Sequence, residues 1–170
     1  MRKITEGEIT SMVRRFFRIN GFNFLSTSSN GEKLYYTIGG NTLNNKQPDS
    51  IVTKENIIII CEDKILFKKL FSEQNYSIDD YTKLSGFLNS KVDLDLFRNK
   101  LSKLNFPPNI IIVGCLSSLV GNTSGQPSFV GESLLNISIE ELKNDKFKMT
   151  LYSIDSYKKY FNQFELEITV

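Results

Sequence analysis

The sequence contains no histidine. That absence removes histidine-based nucleophilic triads, imidazole-ligated zinc sites and every nuclease chemistry that runs through a histidine base or a phosphohistidine. Cysteine is scarce: Cys61 and Cys115 are the two present, too few for a disulfide framework or to close a structural zinc site unaided. Both lie in or at the end of isoleucine-rich runs and read as buried, reduced thiols. Long apolar runs are missing too. Those at 57–61 and 110–113 are far too short to span a bilayer, and the opening MRKITEGEIT lacks the apolar core of a signal peptide, so the chain reads as cytoplasmic with no membrane partner. Nor is there an excess of one charge. Lys and Arg total 21 against 19 Asp and Glu, a net charge of +2, so no broad basic field advertises a polyanion. What remains for hydrolytic chemistry is carboxylate, lysine, a hydroxyl or thiol, or an oxygen-ligated metal.

A chain of 170 residues, 40% of them hydrophobic and 24% charged, suits one compact soluble domain with a real core. Residues 8–19 predict a helix with one buried face, because Ile9, Met12, Val13, Phe16, Phe17 and Ile19 recur at helical spacing and Asn20-Gly21 follows as a stop. Arg14, Arg15 and Arg18 form its solvated face, with contact to a nucleic-acid backbone as the alternative. Residues 22–25 and 33–38 read as extended and 39–47 as a polar loop; 50–53 and 57–65 read as a β-hairpin turning at Lys54-Glu55-Asn56. Gly39-Gly40-Asn41-Thr42 lacks the lysine and helix context of a phosphate loop and reads as a plain turn.

Helical patterns follow at 67–74, 77–88 (capped by Ser77) and 92–104, and Pro107-Pro108 ends the region. Tyr81 and Lys83 fall on the second of these, where core packing and solvent exposure account for them, with an approach to substrate as the alternative. The β-branched run 109–115 predicts a strand buried on both faces of a mixed or parallel sheet, with helices covering both sides. Beyond it, 117–131 reads as a long surface loop and 138–143 as a helix capped by Ser138 with Glu141 three residues on. The tail reads as a strand at 148–154, a helix at 155–163 and alternation at 164–170. With no repeat and no linker, this order fits a single α/β or α+β domain, 1–170, on a central mixed β-sheet flanked by helices.

The chemistry concentrates between Pro48 and Lys64, where an acid, a turn and Glu-x-Lys at the end of an isoleucine strand follow one another. With the hairpin tip at Glu55-Asn56, Lys54 faces Ile57, and continuing the register places Asp49 opposite Glu62. Strand alternation puts Ile60, Glu62 and Lys64 on one face and Ile59, Cys61 and Asp63 on the other. Two partly buried carboxylates side by side raise each other's pKa unless a cation neutralises both. Mg²⁺ suits such a site: it takes one or two carboxylates, keeps waters and binds substrate phosphate. The bare alternative is a solvated edge hairpin in which Glu62 and Lys64 form a surface pair.

At these residues the sequence resembles the PD-(D/E)XK, or restriction-endonuclease-like, nuclease superfamily, whose motif appears as Pro48-Asp49 and Glu62-Asp63-Lys64 after the isoleucine strand. The resemblance covers residues 6–115, a motif-bearing core, and leaves 116–170 as a C-terminal elaboration. It implies a restriction-endonuclease-like core with Asp49 and Glu62 as metal ligands, the backbone carbonyl of Asp63 as a further ligand, and Lys64 as the water-activating residue. A glutamate from the first helix often joins such sites, which is Glu8 here, with Glu6 as runner-up. The implied activity is Mg²⁺-dependent endonucleolytic hydrolysis of DNA, with Mn²⁺ able to substitute and a restriction or defence role first. A repair, recombination or transposition nuclease, an RNA-directed enzyme and a non-catalytic subunit that keeps the hairpin stand beside it. Little chain is left for a separate sequence-reading domain, and a net charge of +2 attracts a polyanion weakly. A homodimer or a larger specificity subunit is therefore the expected partner.

Overall fold

The computed structural model describes residues 3–25, 34–66, 80–120 and 130–170. In chain order these residues form α1 (Glu6–Ile19), β1 (Asn23–Phe24), β2 (Tyr36–Ile38), β3 (Asn41–Lys46), β4 (Ser50–Lys54) and β5 (Ile57–Leu66), followed by α2 (Asp80–Leu88) and α3 (Lys91–Lys103). Then come β6 (Ile111–Val120), β7 (Leu134–Glu141), β8 (Lys146–Tyr152), the single turn α4 (Asp155–Lys158) and β9 (Glu165–Thr169). Seven strands make one sheet in the order β1-β4-β5-β6-β7-β8-β9, and β2 with β3 make a separate two-stranded ribbon. The β5–β6 and β6–β7 pairs are parallel and the rest antiparallel. The fold class is thus mixed α+β, with helices on both faces of a mixed sheet. No described helix is long and apolar enough to cross a membrane.

Local chemistry explains the first half. Thr5 and Glu8 form a reciprocal capping box at the start of α1, and the helix stops at Asn20-Gly21, where Gly21 takes φ +83°. Its buried stripe of Ile9, Met12, Val13, Phe16 and Phe17 packs on Ile57, Ile59, Cys61, Val113, Cys115 and the inward residues of β7 and β8. On the opposite face Leu84 and Phe87 of α2, with Phe97 and Leu101 of α3, pack on Ile51, Ile58, Ile60, Ile112 and Leu116. β5 and β6 are buried on both sides, which is why their apolar runs are nearly uninterrupted. A Cβ at Gly114 would come within 2.7 Å of Leu84 and 2.9 Å of Leu88, so a bare backbone here lets α2 settle close to the sheet. Both cysteines are buried free thiols, in register with each other on β5 and β6.

Four elements depart from the sequence reading. The polar loop at 39–47 contains β3, paired to β2 across a two-residue turn in which Gly39 and Gly40 take φ +69° and +71°. A glycine pair that accepts positive φ forces a tight hairpin, and this outweighs the poor strand propensity of an asparagine-rich strand. Of the surface loop expected at 117–131, residues 117–120 are strand instead, because β6 runs on to Val120 with Ser117 and Ser118 buried; residues 121–129 lie outside the described residues. The helix expected at 138–143 is instead the end of β7: Ser138 and Glu141 imitate a capping box, but Leu135, Ile137 and Ile139 alternate with period two and bury one face. The helix at 155–163 shrinks to α4. The pattern at 67–74 and the cap Ser77 lie outside the described residues.

β7, β8 and β9 extend the same sheet as the motif hairpin, so the C-terminal third is built into the core. Asn20 ties the two: its side chain donates to Phe16 O (3.1 Å) and accepts the N–H groups of Asn162 and Gln163 (2.8 Å each). Lys54 Nζ joins them, donating to Asn20 O (2.8 Å) and Tyr160 O (2.7 Å).

Candidate active site

The β4–β5 hairpin turns at Glu55-Asn56, with Glu55 at φ +53°, and its ladder runs from Lys54↔Ile57 to Ser50↔Cys61. One step past the last pair, Asp49 brackets Glu62: its N–H donates to Cys61 O (3.0 Å) and its Oδ2 accepts the N–H of Asp63 (2.7 Å). Arg14 of α1 fixes this corner, donating to Ser50 Oγ (2.8 Å) and Asp49 O (2.9 Å). Arg14 is therefore a tether rather than a freely solvated arginine, and Arg18 lies over the Phe24 ring at 5.0 Å.

Glu62 is 3% exposed and accepts a hydrogen bond from Tyr36 Oη at 2.9 Å on Oε1, while Oε2 lies 3.4 Å from Lys46 Nζ. Tyr36 and Lys46 are cross-strand partners in the β2–β3 ribbon, so one ribbon delivers both groups to the same carboxylate. Lys46 also pairs with Asp80 Oδ1, at the first residue of α2. Asp80 Oδ2 lies 3.6 Å from Lys64 Nζ, and Lys64 reaches Glu6 Oε1 at 3.4 Å. Carboxylates and ammoniums thus alternate along Glu62, Lys46, Asp80, Lys64 and Glu6. Of the two helix glutamates, Glu6 approaches Lys64. Glu8 instead closes the α1 cap, accepting the Thr5 N–H at 2.9 Å.

Burial pushes Glu62 up to about 8; Lys46 opposes the rise, Asp49 and Asp80 add to it, and the Tyr36 hydrogen bond opposes it. Asp49 is also raised, chiefly by burial against the opposing Asp63 N–H and Lys64. For Lys64, burial favours the neutral amine, but Asp80, Glu6 and Asp49 outweigh it and hold the ammonium. The Tyr36 phenol is raised by burial and by Glu62, so it stays a donor.

Asp63 points to the α1 side and is fully buried, with neither carboxylate oxygen in a hydrogen bond of normal geometry. Burial and Asp49 raise it to about 7, while Thr10, Arg14 and Ser117 favour its anion. Only its backbone faces the Asp49–Glu62 corner. On the site face, Ser118, in register with Lys64, and Asn136 on β7 are buried without partners, so this end of the sheet is polar across three strands.

Among the described residues no three carboxylates or thiols converge into a cage that could hold a metal ion. The available oxygen donors come as carboxylate pairs with lysine between them. No family model, curated protein or solved structure matches the chain.

Asp49, Glu62 and Lys64 gather at one corner. Tyr36, Lys46 and Asp80 complete the cluster and were not legible in the sequence. Asp80 lies within the helix expected at 77–88 and carries no motif of its own, and Lys46 sat in a stretch read as loop. Gly39-Gly40 is a hairpin turn whose Gly40 N–H donates to Asp93 (2.8 Å), and Tyr81 lines a cavity of about 90 Å³ with Ser85, Asn89 and Ser133.

Proposed function

We propose that the chain is a Mg²⁺-dependent endonuclease hydrolysing DNA phosphodiester bonds on a restriction-endonuclease-like core of the PD-(D/E)XK type. The observation that carries this reading is the convergence of Asp49, Glu62 and Lys64 at one end of the β4–β5 hairpin, against Asp80 from α2. The donor set is hard oxygen, which fits Mg²⁺ or Mn²⁺. Burial pushes Glu62 up to about 8, and Asp80 Oδ2 is buried without a hydrogen bond, 3.6 Å from Lys64 Nζ, so a divalent ion would stabilise the anions of both acids.

When bound there, the ion supplies a water of lowered pKa and stabilises negative charge on the phosphate. The chain's own groups do the rest. Tyr36 donates to Glu62 Oε1 and fixes that carboxylate, leaving Oε2 turned toward Lys46. Arg14 and the Asp63 N–H fix Asp49. Lys64, held as an ammonium by Asp80 and Glu6 in the metal-free protein, would donate to a phosphate oxygen or orient the attacking water. Attack by the water oxygen would form a new phosphorus–oxygen bond in line with the ester bond that breaks, the water's proton passing to solvent and the departing sugar oxygen taking one up, so that one new end carries a phosphate and the other a hydroxyl.

A restriction or defence role is proposed first, with repair, recombination or transposition served equally by such a site. A homodimer or a larger specificity subunit would add the phosphate and base contacts that a net charge of +2 does not. One observation favours a second reading, a non-catalytic module: two lysines already neutralise the acids. Supercoiled plasmid incubated with pure protein in Mg²⁺ or in chelator separates the two. Nicking or linearisation only with metal is the expected result, and intact plasmid at micromolar protein together with no metal binding would leave the binding module.

A further inference from the structure

Lys46 Nζ stands between two buried carboxylates that come from separate parts of the chain, 3.4 Å from Glu62 Oε2 and paired with Asp80 Oδ1. Bringing Glu62 and Asp80 together in a low-dielectric setting is costly unless a cation sits between them. Asp80 is 6% exposed, and its second oxygen, Oδ2, makes no hydrogen bond and lies 3.6 Å from Lys64 Nζ. One oxygen of Asp80 thus holds an ammonium and the other is left without a hydrogen-bond donor. Asp49, by contrast, already commits Oδ2 to the Asp63 N–H at 2.7 Å.

The cation between these acids is carried, with Tyr36, on a ribbon apart from the strand that carries Glu62 and the helix that carries Asp80. Lys46 is the last residue of β3, in a ribbon that does not belong to the seven-stranded sheet. The ribbon has its own anchors: Asp93 accepts from Thr37 Oγ1 and Gly40 N at 2.8 Å each, and Lys100 Nζ donates to Tyr35 O at 2.9 Å. None of them depends on Lys46. The Lys46 side chain is 20% exposed and has a flexible four-carbon stem, so its ammonium has a path to water that disturbs no strand pairing.

We infer that Lys46 holds the place of the divalent cation in the metal-free protein: Glu62 and Asp80 are the carboxylates that share the ion, and Lys46 and the ion compete for one position. The inference rests on reading this corner as a metal site, and it adds Asp80 as a ligand and Lys46 as an internal competitor that partly offsets the two acids when no ion is bound. A divalent cation entering between Glu62 and Asp80 returns the Lys46 ammonium to solvent.

Calorimetric titration with Mn²⁺ tests this on wild type, Lys46→Gln, Asp80→Asn and Asp49→Asn, alongside plasmid cleavage. With the competitor gone, Lys46→Gln is expected to melt lower than wild type in chelator and to bind Mn²⁺ at least about tenfold more tightly, while Asp80→Asn loses more affinity than Asp49→Asn. A second measurement needs no variant: in the wild-type protein, labelling of Lys46 by an amine-acylating reagent, read by peptide mass, should rise several-fold on adding Mg²⁺. Equal or weaker Mn²⁺ binding by folded Lys46→Gln, or Lys46 labelling unchanged at saturating metal, overturns the competition. Unchanged affinity in Asp80→Asn overturns Asp80 as a ligand. If these results come with metal-dependent cleavage by wild type, the inference fails alone and the nuclease reading stands; if wild type binds no Mn²⁺ and leaves plasmid intact, both fall.

Discussion

Glu62 and Asp63 are adjacent in β5, both buried and both carboxylic acids raised above their ordinary range, to about 8 and about 7. Their surroundings differ. Glu62 lies on the side of α2 and α3, with a phenol donor, a lysine and two further acids brought in from other elements. The Asp63 side chain lies on the α1 side, at the end of a wall of Phe, Ile, Val and Met, its carboxylate oxygens in no hydrogen bond of normal geometry although Thr10, Arg14 and Ser117 favour its anion. The same strand therefore presents on one face an acid joined by a phenol, lysine and further acids, and on the other an acid set at the end of an apolar wall. Burial alone raises a carboxyl group; convergent partners from several elements mark a site built around charge.

The largest expected effect separates the two acids by activity. Glu62→Gln should lower cleavage by on the order of a thousandfold, as expected for losing a carboxylate that would hold the ion that stabilises charge on the phosphate. Asp63→Asn, on the opposite face, should lower it less than tenfold. Plasmid cleavage at fixed Mg²⁺ measures both, and comparable losses would erase the distinction between the faces.

Next comes the dependence of stability on pH in chelator. The folded state keeps Glu62 and Asp63 protonated up to about 8 and about 7, whereas their ordinary values are 4.5 and 3.8, so between these limits the native state binds more protons than the unfolded one. Stability is then expected to fall as pH rises across that window. Melting temperatures from pH 4.5 to 8.5 should show the decline, and Asp63→Asn should flatten its lower part up to about 7. A melting temperature that climbs with pH would show that both acids are ionised in the fold.

Smaller effects sharpen the comparison at the level of packing. Gly114→Ala pushes a methyl group toward Leu84, Leu88 and Leu134, lifting α2 and with it Asp80. A loss of about 1–3 kcal/mol is expected by denaturant unfolding, with a fall in activity larger than an equally destabilising change in the α1 stripe would give. Smallest is the split between the helix glutamates. Glu8→Gln should cost roughly 0.5–1 kcal/mol through the cap and leave cleavage nearly intact, whereas Glu6→Gln should do the reverse. Equal activity losses would return Glu8 to the site.

Much of the geometry around the motif was legible because it is local. Alternation along a strand is a two-residue period, so the sequence alone put Glu62 and Lys64 on one face and Asp63 on the other. The two polar residues Glu55 and Asn56 could only be a hairpin tip, which set the register from Lys54↔Ile57 back to Asp49. The periodic stripe of α1 and the doubly buried run of β6 were equally local statements. The errors were also local: Ser138 and Glu141 matched a helix-cap spacing inside a strand, and an asparagine-rich stretch hid β3.

The sequence by itself determined which side chains of each strand and helix look the same way, since backbone period and turn chemistry need only near neighbours. Tertiary structure alone decided that Tyr36 and Lys46 descend on Glu62 from a separate ribbon, that Asp80 closes over them from α2, and that Glu6 rather than Glu8 meets Lys64. Those meetings depend on how closely α2 settles at Gly114 and how Asp93 holds the ribbon against α3, contacts between residues far apart in the chain that no spacing records. A cap acid and a site acid two residues apart on one helix are distinguishable only once the helix has docked, because docking decides which of them the sheet's lysine can reach.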